Sequence, residues 1–168
     1  MSGNIPLPSE GAKTGSRATA TCYCSAVQID FPTEGEDFVD SFICHCSDCR
    51  KITASMFASN FIVNESATKH IRGKELLTKF AQAKTIESGN TMENHFCSRC
   101  GTLLYRVSEG YPGKLIMRIG TIDDFDLHET KVKPRIEQYA KNRVKWCSAA
   151  EGVEQHQGGF YWAPVRGQ

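Results

Sequence analysis

Apolar and polar side chains alternate from Ala18 onward in short blocks. Val27, Ile29 and Phe31 are separated by Gln28 and Asp30, the period-two pattern of a strand with one buried face. Residues 38–43 form a short apolar run between polar turns, and further strands are expected over 56–63, 76–80, 92–96, 102–107 and 115–119. Gly73, Gly89-Asn90, Gly101 and Pro112-Gly113 punctuate them. The pattern recurs roughly every ten to fifteen residues, which predicts a mainly β, mostly antiparallel sheet fold. Helix is expected only at 47–54 and 122–127, both too short to stand without packing or a bound metal.

Residues 1–17 hold two Pro, three Gly and three Ser, with Ile5 and Leu7 as the sizeable apolar side chains, so a flexible arm is expected there. Residues 18–168 then make a single domain, in keeping with a 168-residue chain. The cluster Phe160-Tyr161-Trp162 is expected to dock back on the body, an exposed partner-binding patch being the other reading. Twenty Lys and Arg against nineteen Asp and Glu leave a formal charge of +1, without the basic block that nucleic-acid binding by simple electrostatics requires. No apolar run approaches the ~18 residues that span a bilayer, and the first twenty residues lack the apolar centre of a secretory leader. The expected compartment is the cytoplasm, with the nucleus second.

Eight cysteines in such a chain call for metal or thiol chemistry rather than a disulfide framework. They fall as Cys22-x-Cys24, Cys44-His45-Cys46-x-x-Cys49 and Cys97-x-x-Cys100-Gly101, with Cys147 alone. Two closely spaced cysteines can both turn inward on one Zn²⁺, and the glycine after Cys100 permits the backbone turn of a zinc-ribbon-like knuckle. Cys44, Cys46 and Cys49 lie within six residues and should share one ion, which leaves Cys22, Cys24, Cys97 and Cys100 as a complete structural site. Two zinc ions per chain are therefore expected. The three-thiolate site keeps a fourth position open, the property that separates a working zinc from a structural one. Two alternatives stay open on spacing alone: Cys147 completing the second set, and redox chemistry at Cys97 and Cys100.

Zn²⁺ with three thiolates carries −1, so the triad is a poor acidifier of water and a better host for a soft incoming thiol. Carbon–sulfur chemistry is the expectation. Arg50 and Lys51 either offset the negative charge and bind carboxylates of a thiol peptide or are solvated cations on a short helix. Asn60 and Arg118 are further candidates for gripping a thiol peptide.

The segments Cys22-Tyr23-Cys24, Cys44-His45-Cys46-Ser47-Asp48-Cys49-Arg50, Ser55-Met56-Phe57-Ala58-Ser59-Asn60, Phe96-Cys97-Ser98-Arg99-Cys100-Gly101 and the stretch from Lys133-Pro134 to Trp146 resemble the glutathione-dependent formaldehyde-activating enzyme and centromere protein V family. The resemblance covers roughly Ala18 to Trp146. It implies a tent-like sheet fold, a structural zinc on Cys22, Cys24, Cys97 and Cys100, and a catalytic zinc on Cys44, Cys46 and Cys49. It also implies a carbon–sulfur lyase whose reverse reaction joins glutathione and formaldehyde as S-hydroxymethylglutathione. His45 is the nearest titratable candidate for the acid that protonates the alkoxide, although strand alternation could turn it away from the metal. Relatives often carry His where Pro134-Arg135-Ile136-Glu137 supplies Glu137; that residue either caps the sheet's polar face or replaces His in proton transfer. His95 is expected on a strand surface, and His70, His128 and His156 carry no signal. The rivals are a tailoring lyase with another substrate and a noncatalytic zinc-stabilised binding module. Oligomeric state is not legible in the sequence.

Overall fold

Residues 15–160 of the chain are described by a computed structural model. Among them the apolar blocks become eleven strands: β1 (Arg17–Thr21), β2 (Gln28–Pro32), β3 (Phe38–Cys44), β4 (Ala58–Asn64), β5 (Lys69–Arg72), β6 (Leu77–Gln82), β7 (Met92–Cys97), β8 (Leu103–Ser108), β9 (Lys114–Arg118), β10 (Ile136–Gln138) and β11 (Glu154–Gln155). They form a small sheet in the order β1-β2-β5 and a large one in the order β11-β10-β3-β4-β9-β8-β7-β6. Two short helices interrupt them, α1 (Ser47–Thr53) and α2 (Asp126–Glu129). No helix among the described residues is long and apolar enough to cross a membrane.

Strand alternation gives the large sheet two different faces. One face sends Phe61, Val63, Leu115 and Met117 against Ala18, Ala20, Ile29 and Phe31 of the small sheet and Val27 just before β2. Val27, Ile29 and Phe31 are fully buried, as their spacing predicts, and the Phe31 and Phe61 rings meet at 4.7 Å between centroids. Burial of each of these side chains stabilises the fold by roughly 1.5–3 kcal/mol. The opposite face carries Phe42, Cys44, Ala58, Ile62, Ile116 and Ile136 as a second cluster around Cys49. Registry fixes which residues share that face: Cys44 lies opposite Ala58, Phe42 opposite Asn60, and Asn60 opposite Arg118.

Several boundaries differ from expectation. Arg17 already belongs to β1 and donates to Asp30, so strand pairing begins inside the stretch expected to be an arm; residues 1–14 lie outside the described residues. Of the aromatic cluster, Phe160 is described and exposed, with the Arg135 guanidinium over its ring at 5.5 Å, and Tyr161 and Trp162 lie outside the described residues. The second helix occupies 126–129 rather than 122–127, because 119–121 close instead as a short 3₁₀ turn. Strand β5 is too charged to show alternation, and β10 is too polar. Strand β10 pairs parallel with β3 and with β11, which makes the large sheet mixed. His95 is buried rather than on a strand surface, its ring stacked on Tyr105 at 4.3 Å and its Nε2 2.8 Å from Glu93.

Candidate metal centres and the adjoining cavity

Cys22 and Cys24 lie just beyond β1, and Cys97 and Cys100 at the end of β7, with all four sulfurs within 4.8 Å of one another. The Cys22 and Cys24 sulfurs are 3.7 Å apart, and those of Cys24 and Cys97 3.8 Å. A tetrahedron with Zn–S bonds of ~2.3 Å has edges of about 3.8 Å, so this set fits a zinc ion. The surrounding donors also suit thiolates. The Val27 amide reaches the Cys22 sulfur at 3.2 Å, and the Thr102 hydroxyl lies 3.2 Å from the Cys100 sulfur. Gly101 makes the turn at φ 74, with its N–H on Cys97 O at 2.8 Å. Burial pushes the Cys22 thiol up to about 12, partly offset by the Val27 amide. Burial raises Cys100 too, but the Thr102 hydroxyl and backbone outweigh it and bring that thiol down to about 6.

The second set lies on the other face of the large sheet. Cys44 ends β3, Cys46 caps α1 by accepting from the Cys49 N–H at 3.3 Å, and Cys49 is buried in the first turn of that helix. Their three sulfurs also fall within 4.8 Å of one another. Hydrogen bonds from Cys44 and Cys46 hold the Cys49 thiol well below its usual range against the opposing effect of burial, helped by the nearby Arg106 and Arg118. Its neighbours move the other way. Cys44 is raised by its bonds to Cys46 and Cys49 and by burial. Cys46 is lowered by Cys44 but raised more by Cys49 and by burial, to about 11. The unmetallated cluster thus holds one thiolate readily and keeps protons on the other two, the behaviour of a ligand set built around a cation.

Two buried guanidiniums complete the triad's surroundings. Arg106 of β8 donates from Nη1 to the Cys49 sulfur at 3.3 Å. Arg118, at the end of β9, donates to Asn60 Oδ1. Both are about nine-tenths buried or more, and the Nε of each has no hydrogen-bond partner among the described residues. Burial brings Arg118 down to about 10 although the charge on Cys49 pulls it up, so it stays cationic at neutral pH. The triad's −1 with zinc becomes +1 once these two charges are included, a balance that favours one more anionic sulfur or oxygen.

A cavity of about 690 Å³ opens from the triad. Its floor is Cys44, Cys46, Cys49, Asn60 and Arg106, and its wall is Phe42, Ile62 and Ile116. Tyr139 closes one side in a left-handed conformation (φ 55) rare for a bulky residue. Its hydroxyl crosses to Glu87 Oε2 at 2.7 Å, and burial together with that carboxylate raises the phenol above its usual range.

Of the residues singled out in the sequence, Asn60 lies in the cavity and Arg118 beside it. Arg50 and Lys51 lie outside its lining: Arg50 contacts Met56 at 3.5 Å, and Lys51 is exposed. His45 is also outside the lining. It is 1% exposed, packed on Phe57, with Nε2 2.5 Å from Glu137 Oε1. Glu137 does not cap an open face; it is itself 1% exposed. Its second oxygen accepts from the Ala150 N–H at 3.0 Å and Gln155 Nε2 at 2.7 Å, and Arg143 stands 3.4 Å from the first. Those hydrogen bonds hold the Glu137 carboxyl below its usual range against the burial that raises it. Cys147 belongs to neither cysteine set, its sulfur facing Ser148 O. Arg106, Tyr139 and the His45–Glu137 pair were not found from sequence; a lone arginine inside the apolar run 103–107 is the one signal that could have pointed to a buried anionic partner.

The family model described as glutathione-dependent formaldehyde-activating enzyme matches residues 17–142. No curated protein matches the chain significantly. Among solved structures, the crystal structure of a Rhodobacter sphaeroides protein, a structural-genomics target, is similar at 24% identity with a TM-score of 0.48, covering 61% of this chain and 85% of that one.

Proposed function

Because the chain belongs to the glutathione-dependent formaldehyde-activating enzyme family, we propose that it is a carbon–sulfur lyase whose reverse reaction joins glutathione to formaldehyde as S-hydroxymethylglutathione. The observation that carries this reading is the three-cysteine cluster with the buried Arg106 guanidinium at the floor of a ligand-sized cavity. Zinc held by Cys44, Cys46 and Cys49 would supply a soft cationic partner for the glutathione sulfur, and a second zinc on Cys22, Cys24, Cys97 and Cys100 would be structural.

The chain's own groups account for the rest. Arg106 and Arg118 stabilise negative charge at the reacting end, first on sulfur and then on the aldehyde oxygen as the S–C bond forms and the C=O double bond becomes an alkoxide. Tyr139 packs against the buried cluster that contains Cys44 and Cys49 and lines the same cavity, and its hydroxyl is the group we assign to protonate that alkoxide; a phenol with a raised pKa is still a competent acid toward an alkoxide. The proton lost by the thiol balances the one gained by oxygen. Nothing is oxidised or reduced. Lys114 and Lys141 on the cavity rim suit the carboxylates of the tripeptide. His45 and Glu137 act at one remove, tying the Cys44–Cys46 loop to the segment carrying Ala150 and Gln155. The proposed compartment is the cytoplasm.

The test measures the rate of exchange between glutathione and its formaldehyde adduct by NMR, with zinc-loaded protein and with Cys46→Ser. Acceleration that vanishes in the variant supports the proposal; equal acceleration by both overturns it.

A further inference from the structure

Formaldehyde contributes one carbon, and the cavity offers that carbon far more apolar wall than it can touch. Beyond the cysteines the lining continues along the sheet as Phe42, Ile62 and Ile116, then out to Val39, Ile86 and Met92. On the opposite face of the same strands, the apolar side chains Phe61, Val63, Leu115 and Met117 are covered by the small sheet. On the cavity side, α1 covers the end near the cysteines, where Cys49 joins Phe42, Ile62 and Ile116 in one buried cluster, and the rest of the wall lines the cavity. The lining's cations are Arg106, Lys114 and Lys141, and polar groups such as Asp48, Thr85 and Glu87 share it with these six apolar side chains. At about 690 Å³ the space lies in the middle of the range of small-molecule pockets, roughly 300–1,000 Å³.

We infer that the electrophile handled here carries an apolar group, so that the physiological adduct is the hemithioacetal of glutathione with an alkyl or aryl aldehyde. This rests on the proposed docking of a glutathione sulfur at the cysteine triad. The chemistry is otherwise the same: the thiol sulfur bonds to the aldehyde carbon, the carbonyl π pair moves to oxygen, and the thiol's proton is matched by the one that oxygen takes up. The alkyl or aryl group lies along Phe42, Ile62 and Ile116 and reaches toward Ile86 and Met92.

The probes are S-hexylglutathione and S-methylglutathione, stable mimics with a carbon already on sulfur, titrated calorimetrically into the zinc-loaded protein. Burial of roughly three further methylenes predicts about 50-fold tighter binding of the hexyl compound. Met92→Asn and Ile86→Asn, both at half-buried positions whose replacement spares the core, should each shrink that ratio at least about fivefold. Equal binding of the two compounds overturns the inference and leaves the proposed function standing. A hexyl preference unchanged in both variants also overturns it, because the apolar group then lies elsewhere. Failure of either compound and of glutathione itself to bind overturns the proposed function and this inference with it.

Discussion

Replacing Arg106 by methionine removes one of the two buried charges beside the triad while keeping most of the apolar stem. In the native protein its Nη1 lies 3.3 Å from the Cys49 sulfur. At that distance, with an effective dielectric constant of about 20, Coulomb's law gives about 5 kcal/mol between unit charges. Desolvation of the guanidinium, which is 5% exposed, takes back a large part. What remains should resemble a hydrogen bond to a charged group, about 2 kcal/mol. That converts to roughly a 30-fold loss of zinc affinity at the triad. The four-cysteine site, on the other face of the sheet, should be unaffected. Competition with a chromophoric chelator resolves the two sites, and thermal melts of the zinc-loaded variant check that the fold persists. Unchanged affinity at the triad, or an equal loss at both sites, would refute the electrostatic role assigned to Arg106.

Tyr139→Phe should slow adduct exchange by about a hundredfold with little change in zinc content, the scale of general acid catalysis; an unaltered rate removes Tyr139 from proton transfer. Cys97→Ser should lose one zinc and lower the melting temperature far more than Cys46→Ser, because Cys97 is 1% exposed within the main core, as metal analysis and calorimetric melts of both variants will show. Glu137→Ala strips a carboxylate from His45, Gln155, Ala150 and Arg143 and should cost about 3 kcal/mol in urea unfolding. Zinc affinity at the triad should rise with pH, since Cys44 and Cys46 hold their protons in the metal-free cluster, the latter up to about 11. Displacing two protons predicts about a hundredfold gain per pH unit between pH 6.5 and 8, and a flat profile contradicts it.

The cysteine partition was legible because ligand spacing is local: Cys44, Cys46 and Cys49 converge through one strand end and one helical turn, and the knuckle through one glycine. Alternation likewise disclosed the covered face, where Val27, Ile29 and Phe31 meet a continuous apolar partner. What stayed hidden depends on distant registry. Glu137 meets His45 because β10 runs parallel to β3, with Glu137 opposite Ile43, and no local pattern in Ile136-Glu137-Gln138 announces a buried strand. Arg106 reaches Cys49 only after β8 and the helix following β3 are brought together across the sheet. Arg50 and Lys51 drew attention by adjacency to Cys49, yet a helix turns successive residues to different sides and leaves both outside the cavity lining.

Sulfur coordination, measured by X-ray absorption at the zinc edge with and without glutathione, bears most directly on an open thiol-binding centre. Seven cysteine sulfurs over two ions predict an average of 3.5 sulfurs per zinc in the free protein, rising to 4 when glutathione adds its own. An average of 4 without glutathione, or 3.5 unmoved by saturating glutathione, would contradict the account.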